Sequence, residues 1–138
     1  MTINIYLTFN GNCREAMTFY QYCLGGKLHL QTLDSLWSST ICPIENLIVN
    51  ATLIHDGLTI MASDLVDEMG LQRGNAVSIM LNCQNIHELK NCYRKLADGA
   101  TSLRPLGPTY WNALFGSLTD KYGNNWLLYY QDKLNKKD

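Results

Sequence analysis

The sequence contains one pattern twice, with the two copies 73 positions apart. Residues 12–26 and residues 85–99 each open with asparagine, carry glutamate at the fourth position and tyrosine at the ninth, and close with glycine. The chain has 138 residues, so the repeated unit occupies about half of it. A unit that is used twice predicts one domain made of two similar modules. We place the modules at about residues 1–64 and 76–131 of a single domain that spans residues 1–138.

Both modules show the same order of predicted elements, a strand followed by a helix and three further strands. Runs of β-branched and aromatic residues bounded by turn residues indicate the strands, and Gly57 and Gly123 mark matching tight turns between the last two strands of each module. The predicted fold class is therefore α+β, with two βαβββ modules and a linker at residues 64–75. The predicted strands are residues 3–9, 27–34, 47–54, 58–63, 76–83, 101–106, 114–119 and 125–130.

Each predicted helix begins at an asparagine and ends at a glycine. Asn12 is a predicted N-cap, with Glu15 placed to reach back as in a capping box, and Asn85 has the same place in the second module. Apolar residues recur at helical spacing along both segments, which indicates one buried stripe on each helix. Gly26 and Gly99 are predicted to end the two helices, because glycine adopts the left-handed backbone conformation without strain.

Composition argues against several classes of partner. The net charge is −1, with 11 basic and 12 acidic residues, so nothing in the charge balance favours binding to nucleic acid or to an anionic membrane. The five cysteines show no Cys-x-x-Cys spacing. With no signal peptide and no long apolar span in the sequence, we expect reduced cysteines and a cytoplasmic location.

Four segments of the chain resemble one known family. They are residues 6–20, Leu24-Gly-Gly26, Met61-Ala-Ser-Asp64 and residues 111–126. In this order and spacing they resemble the PhnB-like branch of the vicinal-oxygen-chelate superfamily, which includes glyoxalase I, bleomycin-resistance proteins and extradiol dioxygenases. The resemblance extends from about residue 3 to residue 131. It implies a glyoxalase/bleomycin-resistance-like domain with a mixed sheet curled around a cavity, and it implies a homodimer.

The resemblance also implies where metal ligands would lie, because superfamily enzymes take them from the first and last strand of each module. Transferred by position, these sites fall at Ile5, Met61, Ser78 and Leu127. None is a competent ligand, since aliphatic groups donate no electron pair, a thioether suits only soft metals and a lone serine hydroxyl is weak. The three histidines are scattered along the chain. We therefore expect no bound metal and no other cofactor.

The predicted ligand-binding residues are Ser78, Tyr129, Trp111 and Asn50. Ser78 occupies a transferred metal position, and Asn50 stands where PhnB-like sequences often carry the histidine of a His-Ala pair. Tyr129 lies two residues beyond Leu127 on the same strand face. Trp111 lies in a loop, where it either closes over the cavity or packs at the dimer interface. The same register places Ile5 on the cavity face of the first strand and sends its neighbours toward the helix.

We predict that the chain binds, or transforms, a small organic molecule in the cavity without a bound metal. No cavity residue is an evident general base, so no catalytic residue is assigned and binding is favoured over catalysis. One alternative is a metal-dependent lyase or dioxygenase that uses other ligands, such as His55 or Asp64. A second alternative is a dimeric interaction module with a filled core. Some PhnB-like sequences bear a demethylubiquinone methyltransferase label, but no glycine-rich cofactor loop follows the first predicted strand here.

Overall fold

The structure is a computed structural model that describes residues 1–32 and 47–132. The end of the predicted second strand, at residues 33–34, lies outside the described residues. The chain divides into two compact units, Met1–Gln72 and Arg73–Asp138, and each is described on its own. The boundary falls within the predicted linker, while the single-domain assignment stays a prediction.

The first unit contains one helix and a four-stranded mixed sheet. Its strands are arranged in the order β1-β4-β3-β2, with β1 parallel to β4 and the other neighbours antiparallel. The elements are β1 (Ile5–Thr8), α1 (Cys13–Leu24), β2 (Lys27–Thr32), β3 (Ile48–His55) and β4 (Leu58–Ser63).

The second unit repeats this topology. Its strands are arranged in the order β5-β8-β7-β6, again with one parallel pair, β5 and β8, and antiparallel neighbours elsewhere. The elements are β5 (Ile79–Asn82), α2 (Ile86–Leu96), β6 (Ser102–Pro108), β7 (Ala113–Thr119) and β8 (Asn125–Gln131). The prediction of an α+β fold with two βαβββ modules is confirmed.

In both units the helix covers one face of its sheet. Helix α1 lies against β2, β3 and β4, and helix α2 lies against β8. Tyr20, Leu53 and Ile60 are fully buried in the first core, and Leu96 and Trp126 are fully buried in the second. Burying one such side chain contributes about 1.5–3 kcal/mol. Among the described residues, no helix of either unit lies against the opposite face of its sheet.

The two helices begin in different ways, although their N-cap residues match in sequence. The Asn85 side chain accepts a hydrogen bond from the Glu88 N–H at 2.7 Å, and the Glu88 carboxylate accepts one from the Gln84 N–H at 2.8 Å. The Asn12 side chain makes no capping hydrogen bond, so the predicted capping box in the first module is wrong. There the Asp64 carboxylate, which follows β4, accepts from the backbone N–H groups of Gly11 and Cys13 at 2.9 and 3.0 Å. Its negative charge also suits the positive end of the helix dipole.

Both glycines predicted to follow the helices have left-handed backbone, with φ of +100° at Gly26 and +75° at Gly99. Their surroundings differ. A Cβ atom at Gly26 would lie 2.4 Å from the Ile54 carbonyl oxygen, which belongs to the neighbouring strand. A Cβ atom at Gly99 would approach only the side chain of Lys121, at 3.2 Å. The first position therefore requires glycine for space as well as for conformation.

We expect Gly26→Ala to destabilise the protein much more than Gly99→Ala. The left-handed conformation alone costs an alanine about 1–2 kcal/mol, and the collision with the β3 backbone at Gly26 adds about 1–3 kcal/mol. Urea unfolding measures both free energies. Gly57→Ala is the control for backbone strain alone, since φ is +79° there and nothing lies within 4 Å of the added atom. Equal losses at Gly26 and Gly57 would contradict the close approach.

Candidate functional site

The uncovered face of the second sheet is identified by its strand register, and we call it the second open face. Trp126 and Leu128 of β8 are buried on the helix side. Alternate residues of a strand point to opposite faces, so Leu127 and Tyr129 lie on the open side. Residues directly opposite in neighbouring strands share a face. By this pairing the second open face comprises Met80, Asn82, Arg104, Phe115, Ser117, Leu127 and Tyr129.

The centre of the second open face is apolar and remains accessible. Leu127 and Phe115 are half-buried, and Met80 is 47% exposed. We call the apolar surface of Leu127, Phe115 and Met80 the floor of this face. Asn82, Ser117 and Tyr129 add an amide and two hydroxyl groups around the floor. Apolar surface with a few polar groups is typical of sites that bind small organic molecules.

Trp111 is held against this face by a hydrogen bond. Its indole Nε1–H donates to the Tyr129 hydroxyl at 3.0 Å, and that hydroxyl donates to the Gln131 side-chain oxygen at 3.1 Å. The loop that carries the tryptophan is itself ordered by Thr109, whose hydroxyl accepts from the N–H groups of Trp111 and Ala113 at 3.3 and 3.0 Å. The structure therefore brings together two of the four predicted ligand-binding residues.

Three other residues on or beside the second open face were not predicted as site residues. Tyr110 is 96% exposed and meets the Trp111 ring edge-to-face, with 4.6 Å between ring centroids. Gln131 anchors the Tyr129 hydroxyl, and Arg104 lies on the same open face. Tyr110 could have been found from the sequence, because it adjoins Trp111 in the same predicted loop. Gln131 lies one residue beyond the predicted end of its strand.

Ser78 is at the other end of the sheet from Trp111. It is exposed and precedes β5, whereas Asn82, four residues further on, is the residue paired with Tyr129. At about 3.3 Å per residue, Ser78 and the Tyr129 row are separated by about 13 Å along the strand. The neighbouring Val77 is 79% exposed, and β5 begins only at Ile79 rather than at the predicted residue 76.

The first strand lies one residue out of its predicted register. Tyr6, not Ile5, is opposite Met61, just as Met80 is opposite Leu127. The first strands of the two units therefore repeat at 74 positions, while the helices repeat at 73. The cause is the intervening loop, which has three residues, 9–11, before Asn12 but only two, 83–84, before Asn85. Ile5 is paired with the buried Ile60 on the helix-covered face, so its predicted placement is wrong.

Asn50 belongs to the first unit. It lies on β3 opposite Gln31 of β2 and is half-buried. The open face around it is rich in hydroxyl groups, and the Tyr6 hydroxyl donates to the Ser63 hydroxyl at 2.7 Å. This chemistry differs from the apolar floor of the second open face.

The residues that would hold the superfamily's metal do not fit a divalent ion in either unit. With the corrected register, the first strands present Tyr6 and Met80 beside Met61 and Leu127, and the four include neither a carboxylate nor an imidazole. Within residues 1–32 and 47–132, no three His, Cys, Asp or Glu side chains form a group that could hold a metal.

The alternative ligands His55 and Asp64 lie at opposite ends of β4. His55 is paired with Leu58, where β4 begins, and Asp64 follows its last residue. Six residues of strand separate these ends by about 20 Å. Both oxygens of Asp64 already accept backbone N–H groups, the second from Ile48 at 3.0 Å. The two side chains therefore cannot share one metal ion within this unit.

The described cysteines are free thiols in protected surroundings. Burial, with a smaller contribution from the Asp64 carboxylate, raises the pKa of Cys13 to about 12. The hydrogen bond with the Cys92 thiol, together with burial, raises the pKa of Cys83. Thiols with raised pKa values are poor nucleophiles near neutral pH, so neither Cys13 nor Cys83 is suited to nucleophilic catalysis.

We expect Cys13 to make folding stability fall at alkaline pH. In the unfolded chain its thiol ionises near pH 9.0, whereas in the folded protein it keeps its proton up to about pH 12. Between these values the unfolded state binds fewer protons, so the stabilisation is complete below pH 9 and is lost as the pH rises. Urea midpoints at about pH 8 and pH 10.5 should differ more for the parent than for Cys13→Ala. Equal differences would contradict this linkage.

No helix among the described residues is long and apolar enough to cross a membrane.

Comparison with known proteins agrees with this architecture. A model of the family described as 3-demethylubiquinone-9 3-methyltransferase matches residues 1–129. Protein PA1353 from Pseudomonas aeruginosa is 36% identical and superposes with a TM-score of 0.80, covering 95% of this chain and 98% of its own. The chain belongs to this PhnB-like family.

Two further structures extend the comparison. The PhnB protein from Bacillus cereus is 27% identical with a TM-score of 0.72, over 94% of this chain and 99% of its own. The fosfomycin-resistance protein FosX from Listeria monocytogenes has a TM-score of 0.65 at 13% identity, over 99% of this chain and 98% of its own. The second likeness is one of fold alone. The resemblance to the PhnB-like branch of the superfamily is confirmed.

Proposed function

We propose that this chain binds or transforms a small organic molecule on the second open face, without a bound metal. The observation that carries the proposal is the hydrogen bond between Trp111 and Tyr129. It fixes a partly exposed indole beside an apolar sheet face, which gives a flat ligand both a floor and a side wall. The indole N–H is used in this bond, so Trp111 offers its ring for stacking, while the Tyr129 hydroxyl keeps one lone pair that can accept a hydrogen bond from a ligand.

The composition of the face supports an organic ligand over an ion. Leu127, Phe115 and Met80 offer apolar surface, whose removal from water contributes about 25 cal/mol per Å². The Asn82 amide and the Tyr129 hydroxyl lie opposite each other in the sheet and provide directional hydrogen bonds at one end. Ser78, about 13 Å away along the strand, is reached only by a longer ligand. Asn50, in the first unit, remains a weaker candidate.

The proposal is metal-independent because the donor set is wrong for the superfamily's ion. Tyr6, Met61, Met80 and Leu127 leave the usual ligand positions without carboxylate or imidazole, and His55 and Asp64 lie too far apart to replace them. The methyl transfer named in the family's description is not part of the proposal. The single glycine in the loop after β1 donates its N–H to Asp64, so this loop does not offer a glycine-rich cradle.

An uncharged aromatic probe tests the site. N-phenyl-1-naphthylamine should bind with a rise in fluorescence, and Trp111→Ala should weaken that binding about fivefold, because stacking contributes about 0.5–1.5 kcal/mol. Tyr22→Ala is the matched control, since Tyr22 is a 61% exposed aromatic on α1. Probe binding that is unchanged in Trp111→Ala would refute the site, and an added loss in Ser78→Ala would show that the ligand reaches the far end.

Elemental analysis of the same protein tests metal independence. We expect far less than one zinc, nickel, manganese or iron per chain, and probe binding that is unchanged by chelators. About one metal per chain, with binding that chelators abolish, would favour the lyase or dioxygenase alternative instead.

The proposal includes a homodimer. Large apolar side chains are exposed on the described part of the chain, among them Leu65, Met69, Val77 and Leu103. Apolar surface of this kind is commonly covered by a second copy. Light scattering at micromolar concentration should give twice the chain mass of 15.7 kDa. A mass of one chain would contradict the dimer, and a dimer that binds no probe would favour the interaction-module alternative.

A further inference from the structure

Arg104 is the one charged side chain in the four described strands of the second unit. The strands β5, β7 and β8 contain no Asp, Glu, Lys or Arg, and β6 contains only this arginine. It lies opposite Ser117 of β7, which in turn lies opposite Leu127 of β8. Arg104 therefore lies in line across the strands with Ser117, Leu127 and Met80, on the second open face.

The backbone that carries Arg104 is fixed from the other side of the sheet. The register of β6 against β7 shifts between Arg104 and Gly107, which is the signature of a bulge or irregularity. The Tyr93 hydroxyl of α2 donates to the Arg104 carbonyl oxygen at 2.9 Å, at the start of this irregularity. Bulges are enriched next to functional sites, where they redirect a side chain.

Gly116 of β7 makes room for this arrangement. A Cβ atom there would lie 2.8 Å from the Leu106 side chain, 3.1 Å from the Tyr93 ring and 3.2 Å from the Arg104 carbonyl oxygen. The matching position of the first unit is Ala51, since Gly116 pairs with Leu128 as Ala51 pairs with Ala62. The residue that matches Arg104 in the first unit is His29, which pairs with Thr52 as Arg104 pairs with Ser117.

Within residues 73–132 the Arg104 guanidinium has no counter-charge. It makes no ion pair and no side-chain hydrogen bond with any of these residues, and it is exposed. The open face beside it carries hydroxyl and amide groups but no carboxylate. Arginine presents donors in a planar fork that matches the oxygens of carboxylate and phosphate groups, and other oxyanions of similar shape offer the same acceptors.

We propose that the ligand of the second open face is a small organic anion, with a flat apolar body on the Leu127 and Phe115 floor and its carboxylate, sulfonate or phosphonate group on Arg104. This inference rests on the proposed function and adds the charge class of the ligand. Trp111 and Tyr129 bind the apolar body from one end, and Arg104 binds the anionic group from the adjacent edge strand.

Two probes that differ in one charged group test the inference. The probe 8-anilinonaphthalene-1-sulfonate carries a sulfonate on the ring system of N-phenyl-1-naphthylamine. Arg104→Gln should weaken binding of the sulfonate probe about tenfold and that of the neutral probe less than about twofold. Arg104→Lys should recover part of the loss, because it keeps the charge but not the fork. Arg94→Gln removes the same charge from the exposed side of α2 and should change neither affinity.

The outcomes separate this inference from the proposed function. If Trp111→Ala weakens both probes while Arg104→Gln weakens neither, the site stands and the anion preference is refuted. If Trp111→Ala weakens neither probe, the site itself fails. Equal losses of the sulfonate probe in Arg104→Gln and Arg94→Gln would mean that general surface charge attracts it, which also refutes a specific role for Arg104. Circular dichroism and melting curves confirm that each variant is folded.

Discussion

Asp64 joins three separate segments of the first unit through one buried carboxylate. Its two oxygens accept the N–H groups of Gly11 and Cys13 at the start of α1 and that of Ile48 at the start of β3. Because Asp64 directly follows β4, these bonds fix the positions of a helix and a strand relative to the sheet. A buried carboxylate is costly unless it is fully hydrogen-bonded, and here three donors compensate for its lost hydration. Asp120 follows the same rule in the second unit, where Tyr122, Asn124 and the Trp126 indole donate to it.

Local sequence patterns were sufficient to predict the helices and strands, but not every contact and register between them. Both helices, the order of the strands and the turn glycines follow from periodicity and turn chemistry, which act over a few residues. The Asn12 capping prediction failed because the real partner of that helix start, Asp64, lies about fifty positions away. The register of β1 failed because the two modules differ by one residue in a loop. A slip of one residue exchanges the two faces of a strand. The error therefore assigned Ile5 to the open face and Tyr6 to the helix-covered face, the reverse of what the structure shows.

In the candidate site, too, local patterns point to some residues and miss those that depend on distant contacts. Loop position and strand alternation led to the prediction of Trp111 and Tyr129 as site residues, and the structure joins the two by a hydrogen bond. Their role in ligand binding stays a prediction. Ser78 was placed by an offset of 73, which holds for the helices but not for the first strands, and it lies at the far end of the sheet. Arg104 was missed, although a single charge among strand residues is visible in the sequence. What the sequence does not show is the irregularity in β6 and the Tyr93 contact that fix its backbone.

The two open faces share a backbone plan but have different side chains. The first presents Tyr6, Thr52 and Asn50, and its residues are mainly hydroxyl and amide groups. The second presents Leu127, Phe115 and Arg104. A chain built by internal duplication would be expected to saturate with two equivalents of ligand if both halves had kept the same chemistry. The proposed function places the ligand on the second open face alone, so it predicts saturation at one equivalent per chain, in which case the internal symmetry of the fold would not extend to its binding stoichiometry.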